Sequence, residues 1–159
     1  MRVLGIDPGY DRLGLAVLEG DPSRPSVVWS DCVTPPKGDA SFRLAEVYAA
    51  VSSAILQYHP EKISIETLFF STNKKTALSV AEARGAILAA AGAHTTRVSE
   101  YSPAQVKLAV TGHGSADKSA IARMIPHLMS LPERIRLDDE LDAIAVAIAG
   151  LADRNALPA

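Results

Sequence analysis

Met1-Arg-Val-Leu-Gly-Ile-Asp7-Pro-Gly-Tyr-Asp-Arg-Leu-Gly14 opens the chain with a short apolar run, Val3 to Ile6, that ends on a carboxylate and breaks at Pro8-Gly9. The apolar run resumes from Leu13 to Leu18. Such a pattern predicts a hydrophobic strand, a tight turn and a second strand. Asp7 then stands at the end of a central strand, where an acid is costly unless something positive lies beside it. A metal ion or a basic partner is the natural candidate, so the functional question begins at Asp7.

Working outward, Val27–Val33 forms a third strand, reached through Asp21-Pro-Ser-Arg-Pro25. Three strands joined by turns make an antiparallel meander. After the loop Pro35-Pro36-Lys-Gly38-Asp39, a helix is expected from Ser41 to Tyr58. Its apolar positions are Phe42, Leu44, Ala45, Val47, Tyr48, Val51, Ile55 and Leu56. His59-Pro60 stops it. Lys62–Glu66 is a short strand that again finishes on an acid, and Asn73 can cap a long helix reaching Ala93, with Leu78, Ala81, Ile87 and Leu88 on its stripe.

Arg97–Glu100 is a fifth strand. Ser102-Pro103 is a cap followed by proline at the first helical position, giving a helix to Val110. Gly112-His113-Gly114-Ser115 is expected to turn the chain and cap a helix from Ala116 to Met129. A last helix starts in the acidic run near Asp138 and continues to Arg154. The expected fold is α/β: a mixed five-stranded sheet, its first three strands antiparallel, flanked by helices on both faces. Residues 1–154 make one domain and 155–159 a short tail. Ligand sites in such sheets lie off the strand ends, where Asp7 and Glu66 stand.

With 159 residues and a 48% hydrophobic fraction, the chain can bury one ordinary core. No apolar run approaches the roughly 18 residues that a membrane span needs. Asp7 and Pro8 interrupt any signal-peptide pattern, so a cytoplasmic location is expected. Cys32 is the single cysteine and reads as a small apolar residue. The net charge of −2 conceals an asymmetry. Lys62 to Arg136 holds ten Lys or Arg against five Asp or Glu, whereas the remainder holds six against thirteen. A basic middle beside clustered carboxylates suits a polyanion held next to a metal, and a solvated mixture of surface charges reads equally well.

Four acids fall between Asp138 and Asp142. Residues three apart share a helix face, so Asp139 and Asp142 can point the same way, and Asp138 with Asp142 could as well. Each alone could simply stabilise a helix N-terminus. Together with Asp7 and Glu66 they would repel one another strongly, and a divalent cation relieves that repulsion. All-oxygen ligation favours Mg²⁺ or Mn²⁺ over zinc. A pair of such ions suits in-line phosphodiester displacement.

At this point the sequence resembles the RuvC family of Holliday junction resolvases, within the ribonuclease H-like superfamily. The resemblance runs from Met1 to about Gly150. It is carried by Leu4-Gly-Ile-Asp7-Pro-Gly9, Ile65-Glu66 followed by Phe69 and Asn73, and Ala83-Arg84-Gly85. It continues through Tyr101-Ser-Pro-Ala-Gln105-Val-Lys107, Gly112-His-Gly-Ser115-Ala-Asp-Lys118-Ser119 and Asp139-Glu-Leu-Asp142-Ala-Ile-Ala145. It implies a homodimeric endonuclease that cuts opposed strands of four-way junction DNA symmetrically, with Mg²⁺ or Mn²⁺, two ions per active site, leaving 5′-phosphates and 3′-hydroxyls. Asp7, Glu66, Asp139 and Asp142 match the family's catalytic, metal-holding carboxylates. Alignment on Asp142-Ala143-Ile-Ala145 selects Asp139 over Asp138.

Phe69 matches an aromatic that stacks on bases, and Phe70 could share that role, a stacked base gaining roughly 1–3 kcal/mol. Lys107 and Lys118 match positions that contact the DNA backbone. Lys74 and Lys75, beside the Asn73 cap, lie at the wrong helix end for the dipole and suit phosphate contact or open solvent. The family works beside the RuvA and RuvB branch-migration proteins. Ala81-Glu82 replaces the family's usual Gly-Gln, and the chain lacks the longer basic tail of many relatives. Two other classes share the opening motif. A ribonuclease H-like group linked to ribosomal RNA processing lacks the Glu66–Phe69–Asn73 pattern and the Gly-Ser-Ala-x-Lys segment. The ATP-binding fold of actin and sugar kinases needs a second lobe.

Overall fold

The computed structural model describes residues 1–9, 11–67, 74–131 and 138–153, with the side chains of 74 and 75 excepted. Its strands are β1 (Arg2–Pro8), β2 (Leu13–Asp21), β3 (Arg24–Val33), β4 (Lys62–Glu66) and β5 (Arg97–Tyr101). Its helices are α1 (Ala40–Tyr58), α2 (Lys74–Ala93), α3 (Pro103–Thr111), α4 (Lys118–Leu128) and α5 (Asp138–Ala152). They form one five-stranded sheet in the order β3-β2-β1-β4-β5. The meander is antiparallel, and β4 pairs parallel with both β1 and β5. This is the expected mixed sheet.

Side-chain alternation along each strand decides which face a residue serves. Leu4, Ile6, Leu15, Val17, Ile63 and Ile65 pack with α1 and α2, through Val47, Val51, Ile55 and Ile87. Val3, Ala16 and Leu18 face the other way, onto α3, α4 and α5. Asp7 has the parity of Val3, and Glu66 that of Lys62 and Ser64. Both acids therefore point to the α5 side.

Helix α5 is nearly all interior, with every residue from Ala143 to Leu151 buried. Two glycines let it lie directly on the sheet. A Cβ on Gly5 would overlap the Ala143 carbonyl oxygen, and one on Gly14 would overlap that of Asp139. Because Gly14 pairs with Asp7 across β1 and β2, this close approach brings the first turn of α5 to the end of β1.

Three details differ from expectation. Helix α4 starts at Lys118, capped by Asp117, whose carboxylate accepts from the Ala120 N–H at 2.7 Å, and not from Ser115. On α1 the apolar stripe is narrower than the sequence suggests: Phe42 is 69% exposed and Leu56 60%. On α2, Leu78 is 63% exposed while Ile87 is buried. Helical periodicity marks which residues could face a core, but the sheet beneath covers only part of each arc. Phe69, Phe70 and Asn73, as well as Arg154 and the 155–159 tail, lie outside the described residues. Among the described residues no helix is long and apolar enough to cross a membrane.

Candidate active site

Ile6 pairs with Ile65, so the parallel register of β1 and β4 carries Asp7 and Glu66 side by side off the carboxyl edge of the sheet. From above, the first turns of α5 supply Asp139 and Asp142. The acids act on one another. Asp7 is pushed up to about 7 from the usual carboxylate range, first by burial, then by the charges of Asp142, Asp139 and Glu66. Glu66 is raised as well, by burial and then by Asp142, against the pull of Lys107 and Lys118. Burial contributes most to both shifts, and the charges of the neighbouring carboxylates add to it.

Two bases hold the late acids. Lys118 Nζ donates to Asp142 Oδ2 at 2.7 Å, and that hydrogen bond raises the lysine's own pKa. Arg12 Nε lies 2.9 Å from Asp139 Oδ2. That contact lacks hydrogen-bond alignment, so Oδ2 is a buried carboxylate oxygen without a hydrogen bond. Among the described residues, no three Asp, Glu, His or Cys side chains are grouped closely enough to hold a metal ion as they stand. Asp138, the other candidate of the acidic run, is exposed; its charge acts on Lys118, and it does not figure among the groups that shift Asp7.

Lys107 is set by α3. That helix begins with a full capping box, Ser102 accepting from the Gln105 N–H while the Gln105 side chain accepts from the Ser102 N–H. A cleft of about 200 Å³ opens between α3, α4 and α5, lined by Glu66, Lys107, Lys118, Ile121, Asp142 and Ala145 among others. Anionic and cationic side chains thus face one another across a groove at the sheet edge.

The family model for crossover junction endodeoxyribonuclease RuvC matches residues 3–150. The chain belongs to the RuvC family. A RuvC of Moorella thermoacetica is 43% identical over 149 residues, covering 93% of this chain and 89% of the relative. One from Caldanaerobacter subterraneus subsp. tengcongensis is 40% identical over 158 residues, 99% of this chain and 96% of the relative. Thermus thermophilus RuvC in complex with a Holliday junction substrate superposes with a TM-score of 0.87 at 34% identity, covering 94% and 92% of the two chains. A yeast mitochondrial Holliday junction resolvase shares the fold at a TM-score of 0.70 with 13% identity. The RuvC match spans nearly the whole sequence and sets aside the ribosomal RNA processing class and the kinase class.

In this RuvC-family chain, Asp7, Glu66, Asp139, Asp142, Lys107 and Lys118 come to one edge of the sheet. Phe69, Phe70 and Asn73 lie outside the described residues, and Lys74 and Lys75 begin α2 without described side chains. The sequence reading missed Arg12 as a partner of Asp139. Its signal was the strand–turn–strand register, which returns the chain beside Asp7 just after that arginine.

Proposed function

We propose that this chain resolves four-way DNA junctions by symmetric, divalent-metal-dependent phosphodiester hydrolysis, as its RuvC relatives are named for. Asp7, Glu66, Asp139 and Asp142 are its catalytic carboxylates and would hold Mg²⁺ or Mn²⁺, two ions per site. The observation that carries the reading is the placement of these acids at one sheet edge, where burial first, and then the charges of Asp142, Asp139 and Glu66, lift Asp7 to about 7. An orphaned buried oxygen on Asp139 and an all-oxygen donor set suit a hard dication. Bound there, such cations would supply Lewis acidity for activating the attacking water and positive charge for the leaving 3′-oxygen.

The chain's own side chains do the rest. Lys107 and Lys118 bind the phosphates flanking the scissile bond, and Lys118 stays protonated because Asp142 stabilises its charge. The carboxylates orient the attacking water behind the phosphorus. Phe69, with Phe70, stacks on bases at the opened junction, and Asn73, Lys74 and Lys75 contact the strand beside it. The protein works as a homodimer, so that two sites cut opposed strands, and partners the RuvA and RuvB branch-migration proteins in the cytoplasm. Residues 1–154 act as one nuclease domain.

A labelled four-way junction, compared with linear duplex and with RNA, in Mg²⁺ and in Mn²⁺, tests the reading. Junction-selective paired nicks are expected. Asp7→Asn should abolish cleavage and leave junction binding largely intact; cutting by that variant at the wild-type rate would remove Asp7 from the metal site.

A further inference from the structure

Arg12 reaches from the β1–β2 turn to the first turn of α5, where its Nε stands 2.9 Å from Asp139 Oδ2. A strong arginine–carboxylate pair has aligned, often bidentate hydrogen bonds. Here the oxygen is buried and takes no hydrogen bond. The Arg12 side chain is 46% exposed and that of Asp139 20%. The guanidinium is therefore held by charge, at the mouth of the site, with half its surface already in water. Lys118 grips Asp142 with a properly formed bond of 2.7 Å. Lys118 is the more exposed side chain, at 65%, but of the two bases only Arg12 lacks a hydrogen bond to its carboxylate. Its neighbour Asp11 lies 3.6 Å from Arg43 on α1, on the other side of the turn from Asp139.

We propose that Arg12 is an exchangeable counter-ion of Asp139, holding that carboxylate until a divalent cation takes it and so weakening the cation's apparent affinity. The inference rests on Asp139 being a metal ligand. A dication brings twice the charge and prefers oxygen, so it wins the carboxylate, but only after displacing the guanidinium. The displaced arginine also leaves a positive charge close to the incoming one. Both effects oppose binding, and both vanish when the arginine is removed.

Calorimetric titration of Mn²⁺ into the full chain, without DNA, tests this with R12Q, R12K, D139N and the R12Q/D139N double variant. R12Q is expected to bind Mn²⁺ about two- to fivefold tighter, the range set by a partly exposed ion pair. R12K, which keeps the charge, should stay nearer the wild type. The gain should disappear in the D139N background. If D139N weakens binding but R12Q binds as the wild type or worse, the counter-ion idea falls while the carboxylate site stands. If D139N binds like the wild type, the site reading falls and takes this inference with it. Should R12Q lose its fold by circular dichroism, Arg12→Met keeps the length of the stem and gives the same comparison.

Discussion

Asp7 is a carboxylate whose charge is opposed by burial and by three other acids. Its ordinary pKa of 3.8 rises to about 7 in the fold. Between about pH 4 and 7 the folded chain therefore holds a proton that the unfolded chain has lost. Stability falls as pH rises through that window and levels off above it. The penalty reaches at most about 4 kcal/mol. Urea denaturation in EDTA should show the wild type losing stability relative to Asp7→Asn from pH 4 to 7, and Mn²⁺ should reduce the difference; a parallel pH dependence in the two proteins would show that Asp7 is not strained. Lys118 calls for a different measurement. Lys118→Ala should weaken junction cutting more at high salt than at low, because one phosphate contact is lost when binding is no longer saturated. Equal loss at every salt concentration would move Lys118 from DNA binding into the chemical step.

At the level of elements, the site depends on how closely α5 can lie on β1 and β2. Gly14→Ala sets a methyl against the Asp139 carbonyl and should lift the first turn of the helix. Overpacking of that kind costs about 1–3 kcal/mol, so the urea midpoint and junction cutting should fall together. Gly85, inside α2, has nothing within 4 Å of its would-be Cβ, and Gly85→Ala should hold or raise the midpoint. Most elements were legible because each carries its own local signal. Alternation in β1 and β4 assigns their faces, Ser102-Pro103 announces α3, and His59, left-handed at φ 48°, ends α1 where His59-Pro60 predicts. The start of α4 was misplaced because Ser115 and Asp117 are both good caps, and only packing chooses between them. Arg12 escaped notice because the strand–turn–strand register places it near Asp7 but does not say that Asp139, far along the sequence, arrives there from α5.

For the molecule as a whole, the face formed by α1 and α2 is the counterpart of the catalytic side. It leaves Phe42, Leu56, Leu78 and Leu88 exposed. Large apolar groups exposed on this face suit a protein surface, and we propose that α2 forms the contact between subunits of a homodimer. Leu78→Glu with Leu88→Glu should convert a dimer into a folded monomer in sedimentation velocity. A double variant that stays dimeric would place the interface elsewhere, and a monomeric wild type at micromolar concentration would remove the homodimer altogether. The topology has one more consequence. Asp7 belongs to the first strand and Asp139 to the last described helix, and the two come together only when α5 is docked on β1 and β2. Long-range closure of this kind is slow to form. A polypeptide cut short before α5 accordingly carries Asp7 and Glu66 without the two later acids that would complete the set.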